Sequence, residues 1–144
     1  MRQIVTTGLL LLVAACGQAQ VPAASPALDA AGKQFSPPPA NLAAIYFYNP
    51  TSTGPVISVM VGVNTMGQVA PQTWMRVERQ PGWHELRCIS PGSATATSIT
   101  LAPGDLRFVD VEQPPGQATC TIRETAPEQG RSAVLQGNRV MPLQ

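Results

Sequence analysis

Charge is what this chain has least of. Asp, Glu, Lys and Arg make up 12% of its 144 residues, and nine basic against eight acidic side chains leave a formal net charge of +1. Nucleic-acid binding needs basic residues gathered into a patch that displaces counterions from phosphates. Here Arg76, Arg79, Arg87, Arg107, Arg123, Arg131 and Arg139 are scattered among the acids, so no nucleic-acid partner is predicted. Histidine occurs once, as His84, and there is no Cys-x-x-Cys pair, so a zinc-type ligand set is missing and neither metal nor cofactor is expected. The chain also lacks a Gly-x-Ser-x-Gly elbow, a phosphate-binding loop and a carboxylate pair. A nucleophilic triad would have to combine His84 with Ser90 and either Asp105 or Asp110, with no spacing to favour it. Beside Leu86 on the apolar face of its strand, His84 reads as a structural residue. The expectation is a protein that is not an enzyme.

Long apolar runs are missing too. The run beginning at Ile4 lasts about a dozen residues, short of the ~20 needed to cross a bilayer as a helix. With Arg2 before it and small residues after it, residues 1–15 read as a secretory signal. Its end, Leu12-Val13-Ala14-Ala15-Cys16, resembles the lipobox of bacterial lipoproteins. That resemblance implies that Cys16 is acylated and becomes the first residue of the mature chain. One acyl chain holds a protein reversibly, whereas two or three make desorption negligible. In lipoproteins an aspartate after the cysteine retains the protein in the inner membrane; Gly17 stands here, which implies the outer membrane, facing the periplasm. Residues 16–40, with Pro22, Pro26 and Pro37-Pro38-Pro39 and no apolar periodicity, read as a disordered tether extending at about 3 Å per residue.

Proline, glycine, serine and threonine are plentiful in the remainder, a composition for short strands and turns. The unbroken apolar run Leu42-Ala43-Ala44-Ile45-Tyr46-Phe47-Tyr48 predicts a central strand buried on both faces. Ile57, Val59, Val61 and Val63 alternate with Ser58, Met60 and Gly62 in a half-buried strand, and Asn64-Thr65-Met66-Gly67 reads as a turn. Thr73 to Arg79 and Trp83 to Ile89 alternate likewise, as do segments ending at Leu101, Glu112 and Arg123. Thr125-Ala126-Pro127-Glu128 has the form of a capping box, and Gly137 that of a terminator, so a short helix is predicted between them even though Gly130 interrupts it. The expected fold is mainly β: a single antiparallel β-sandwich of about seven or eight short strands over residues 41–125, with residues 126–144 as a C-terminal segment containing the helix.

With Cys16 assigned to lipid, Cys88 and Cys120 remain for an oxidising compartment, and they are read as a disulfide. Both fall on the more apolar face of their strands, as a bridge inside a sandwich requires. On the opposite parity sit Trp74 and Arg76 in one strand and Trp83 and Arg87 in another. Tryptophan and arginine are favoured at interface hot spots, so these four form the candidate interaction surface, unless a second sheet layer or the C-terminal segment covers the tryptophans.

The order of parts is that of a known family. The strand Ala44 to Asn49, the turn Val63-Asn64-Thr65-Met66-Gly67, the stretch Pro81-Gly82-Trp83-His84-Glu85-Leu86 and Leu101-Ala102-Pro103-Gly104-Asp105 resemble the bacterial lipoprotein domain-of-unknown-function 2846 family. The likeness spans roughly Leu42 to Ile122. It implies fold and compartment and brings no activity. Together these readings predict a lipid-anchored accessory or protein-interaction module of the cell envelope. The alternative is a periplasmic module for a small molecule or glycan, which would show itself as a pocket lined by Trp74 or Trp83.

Overall fold

The computed structural model of the chain describes residues 21–143. The signal-like stretch and Cys16 lie outside these residues. The described chain forms α1 (Pro26–Gly32), β1 (Ala43–Asn49), β2 (Ile57–Val61), β3 (Asn64–Val69), β4 (Thr73–Arg79), β5 (Gly82–Ser90), β6 (Ser93–Leu101), β7 (Leu106–Glu112), β8 (Thr121–Thr125), α2 (Pro127–Gln136) and β9 (Asn138–Arg139). A five-stranded sheet, ordered β8-β7-β1-β4-β9, packs on a four-stranded sheet ordered β3-β2-β5-β6. This is the β-sandwich that the alternating strands predict.

The core between the sheets draws on the inward positions of both. Ile45, Phe47, Met75, Val109 and Val111 from one sheet meet Ile57, Val59, Leu86, Cys88 and Ile99 from the other. Cys88 on β5 and Cys120 just before β8 are bridged across this core, with Cα atoms 6.2 Å apart and a sequence separation of 32. The bridge thus ties one sheet to the other, as their parity predicts. Every residue of β1 is buried, because β1 lies at the centre of its sheet and its outer face is roofed as well. Tyr46, Tyr48, Trp74, Phe108 and Val134 form this second apolar layer, with Phe35 and Ala133 packed against it.

The roof corrects the tether reading. From Val21 on, the proline-rich stretch is part of the fold. Ser25 caps α1 by accepting from the Leu28 amide, and the Tyr46 hydroxyl donates to the Gly32 carbonyl at 2.7 Å. The Arg139 amide donates to Asp29 Oδ1 at 2.7 Å. The apolar contribution of the segment comes from Val21, Gly32, Phe35 and Pro38, too few positions to make a periodicity along it. The part of that reading before Val21 lies outside the described residues.

Three further expectations change. The sheets are not wholly antiparallel: β1 runs parallel to β7, and β4 parallel to β9. Such pairings join strands distant in sequence, which alternation cannot register. Val63 is 90% exposed, because Gly62 adopts φ +60 and turns the chain there, and Asn64 onward is strand β3 instead of a turn. Finally, α2 begins as predicted with proline in its first turn, but its N-cap is Ala126 with no side-chain cap bond. Thr125 faces the sheet instead, where its hydroxyl meets the Tyr48 hydroxyl at 2.9 Å.

Candidate interaction surface

The four residues chosen by parity are divided between the two sheets. Trp74 projects from β4 onto the roofed face and is fully buried. Its ring lies beside Gly32 of α1, 5.5 Å from the Tyr46 ring, with the Arg139 guanidinium 5.4 Å from its centroid. Arg76 donates to the Ser36 carbonyl at 2.9 Å and to the Tyr46 hydroxyl at 3.3 Å, and pairs with Glu78. These two side chains hold the N-terminal segment to the sheet, and neither is free for a partner. The parity was read correctly. What lies over that face is decided by α1 and α2, which alternation within β4 does not reveal.

Trp83 and Arg87 lie on the outer face of the four-stranded sheet, which no helix among the described residues covers. Trp83 is 66% exposed, and Ile89 on the same face of β5 is 39% exposed. Met60 on β2 stands opposite Arg87, and Ser58 opposite Ile89. Glu85 pairs with Arg87 at 2.6 Å between them on the strand. From β6, Ala94, Ala96, Ser98 and Thr100 stand beside Ile89, Arg87, Glu85 and Trp83 in turn. The result is a shallow face with one large aromatic anchor, small residues next to it and a local ion pair. Exposed tryptophan flanked by small side chains leaves an accessible apolar contact area, as interface anchors need. Sequence reasoning missed Ile89 and Met60, although Ile89 shares the parity of Trp83.

A polar cluster on the roofed sheet was also missed. Asp110 of β7 is 2% exposed and accepts from Arg123 of β8 at 3.0 Å, while its Oδ1 has no partner. Glu112 accepts from the same guanidinium at 3.3 Å. Burial raises the Asp110 carboxyl above the ordinary carboxylate range, outweighing the opposing hydrogen bond from Arg123. Burial likewise raises the Tyr48 phenol next to it. Arg123 is pushed the other way from loss of charge, its pKa raised by its bond to Asp110. This arrangement pins edge strand β8 to β7 and β1. Among the described residues no group of three or more His, Cys, Asp or Glu is placed to hold a metal ion.

The residues weighed for a triad lie apart. His84 and Ser90 stand at opposite ends of β5, roughly 20 Å from each other at strand spacing. His84 Nε2 is 2.8 Å from the Gln80 carbonyl oxygen. Asp105 accepts from the Ala102 amide at 2.9 Å and from Arg107, which lowers its pKa, and Asp110 faces the roof. Two clefts lie near the loops. One, of about 280 Å³, lies between α2 and the ends of β1 and β4, lined by Asn49, Gln72, Gln129 and Gln136 among others. The other, of about 1160 Å³, is an open groove of loop residues including Val21, Pro55, Pro71 and Pro91. Neither is lined by a tryptophan.

No family model matches the chain, so the likeness to the domain-of-unknown-function 2846 family stands on the quoted motifs alone. No curated protein matches it either. Among solved structures, the chain is similar to the N-terminal domain of AlgF from P. aeruginosa, with 18% identity and a TM-score of 0.42. The match covers 62% of this chain and 99% of that one.

Proposed function

We propose that this chain is a lipid-anchored protein of the cell envelope that serves as a non-enzymatic accessory or protein-interaction module on the periplasmic face of the outer membrane. The observation that carries the reading is the contrast between the two sheets. One has its outer face roofed by α1 and α2, while the other leaves Trp83 exposed on an open, shallow face. A shallow face suits a protein partner better than a small ligand, which needs a concave site. The Cys88–Cys120 bridge fits an oxidising compartment, and the lipobox-like Cys16 supplies the anchor.

The test has two parts. Labelling cells with a fatty-acid analogue and separating membranes should place label and protein together in the outer membrane, and Cys16→Ser should lose both. Unlabelled wild type in the soluble fraction would overturn the anchor. In-cell crosslinking should then recover a partner in near-equal amount with the wild type and lose it with Trp83→Ala. A partner retained by that variant would move the contact off this face.

A second reading, a binding module for a small molecule or glycan, is favoured by the amide-lined cleft at Asn49, Gln72, Gln129 and Gln136. Side-chain amides both donate and accept, as sugar hydroxyls require. Envelope glycan fragments that perturb these residues in an NMR titration, and cease to do so with Gln129→Ala, would put that reading first.

A further inference from the structure

Two sheets present four edges, and three of them are protected. On β8, Arg123 and Glu124 place charge along the edge. β9 is two residues long, and the chain from Pro22 to Ala24 lies over it, with the Ala24 amide bonded to the Arg139 carbonyl and the Met141 amide to the Pro22 carbonyl. β3 pairs with β2 through a register shift, and the C-terminal segment bonds onto it from Leu143 to Met66. Charge, shortness, irregularity and cover are the devices by which edge strands avoid pairing with other chains. Among the described residues β6 has none of them along its length; only its first residue, Ser93, is met by another segment, its hydroxyl accepting from the Cys120 amide. It runs nine residues, Ser93–Leu101, as SATATSITL, without charge, proline or glycine.

We infer that β6 pairs antiparallel with β6 of a second copy of this chain, joining two four-stranded sheets into one. The strand's own hydrogen-bonding alternation determines which groups are free. A two-residue turn, Pro91-Gly92, joins β5 to β6, so Ser90 and Ser93 form a hydrogen-bonded pair, and by alternation Thr95, Thr97, Ile99 and Leu101 also bond to β5. The amides and carbonyls of Ala94, Ala96, Ser98 and Thr100 therefore point outward. A two-fold axis at Thr97 sets Ala94 against Thr100 of the second copy and Ala96 against its Ser98, four hydrogen-bonded pairs with about eight bonds. Even residues meet even residues in this register, so each face of the joined sheet stays continuous.

The side chains agree with the backbone. Small residues meet on the outer face, and Thr97 meets its own copy on the other, a favourable cross-strand pair. Nothing charged lies at the seam. In the next rows, Glu85, beside Ser98, looks across towards Arg87 of the second copy, which stands beside its Ala96, and Trp83 looks across towards its Ile89. Rows of like charge do not face each other, and the exposed aromatic of one copy extends an apolar row of the other. The occupant is isologous, as closed dimers are. This inference goes beyond the proposed function and needs neither the anchor nor an envelope partner.

The test uses the full chain carrying Cys16→Ser, which leaves the two bridged cysteines as its only ones. Sedimentation at tens of micromolar protein should give twice the monomer mass. Ser98→Pro removes one outward amide and keeps the bonds to β5, a position where an edge strand tolerates proline; it should sediment as a monomer with unchanged circular dichroism. Ala96→Lys keeps every backbone bond and brings like charges to the seam, and it serves should the proline variant fail to fold. Thr97→Cys should form a covalent dimer on mild oxidation, and Thr65→Cys on β3 should not. A monomeric parent chain, a dimer that survives Ala96→Lys, or crosslinking through Thr65→Cys alone would each overturn the inference. Trp83→Ala leaves the free edge intact, so a dimer retained while the envelope partner is lost separates this inference from the proposed function.

Discussion

Gly130 interrupts the α2 helix where helix propensity alone would prefer alanine, and the packing beneath it predicts what the exchange costs. The glycine is buried, and a Cβ built on it would overlap Cβ, Cγ and Cδ1 of Phe108 on β7. The Cβ of Phe108 is fixed by its backbone, so no rotamer removes that overlap. Phe108 is also held by other rings, stacked 5.2 Å from Tyr46 and edge-on to Phe35 at 5.9 Å. Replacing glycine by alanine in a helix gains about 1 kcal/mol. Overpacking a filled core costs typically 1–3 kcal/mol, and the immovable partner places this site at the upper end of that range. Gly130→Ala should therefore destabilise the fold by about 1–2 kcal/mol net, lowering Tm by roughly 5–10 °C. Urea unfolding followed by the fluorescence of Trp74, buried under the same roof, measures it. Combining the change with Phe108→Leu should recover part of the loss, as a double-mutant cycle shows for residues in contact. A Gly130→Ala protein as stable as the wild type, or more stable, would refute the close helix-to-sheet approach.

Other perturbations test the remaining supports. Removing both bridge cysteines, Cys88→Ala with Cys120→Ala, should cost about 4 kcal/mol for a loop of this length in the chain-entropy model, and an unchanged urea midpoint would deny the bridge its role. Phe35→Ala should cost about 2 kcal/mol, less than a fully buried phenylalanine because its ring is only partly covered; a neutral result would return the segment after Val21 to the status of a tether. Asp110 gives a pH signature. Its carboxyl is raised in the folded state, so the folded chain holds the proton more tightly than the unfolded chain. The group's contribution is then greatest below the unfolded carboxylate pKa of about 3.9 and is lost as pH rises from there through the folded value. Asp110→Asn should flatten that descent in a series of urea midpoints against pH. A wild-type stability that climbs across the window relative to the variant would show the carboxyl to be lowered instead.

Much of the sandwich was legible because burial on one side imprints period two on a strand. β2, β4 and β5 show it, and the unbroken run of β1 correctly announced burial on both faces. The shared parity of Cys88 and Cys120 placed them in one core. Legibility ended where a structural role falls on few residues. Gly32 and Phe35 anchor a segment otherwise composed like a linker, and Gly130 looks like a helix breaker until Phe108 is seen under it. For the surface, alternation named the outward side of β4 and of β5 equally well, and gave Trp74 and Trp83 the same standing.

What the amino-acid sequence determined by itself is local: which stretches extend, which face of most of them turns inward, where the α2 helix starts, and that two cysteines fall on inward faces. These follow from backbone geometry and side-chain polarity within a few residues, so no distant partner is needed to read them. Tertiary structure alone decided which sheet each strand joined, that β1 and β7 run parallel, that α1 and α2 roof one sheet and hide Trp74, and that β6 ends its sheet. Those outcomes depend on contacts between segments far apart in the chain. An outward face becomes core or surface according to what packs over it.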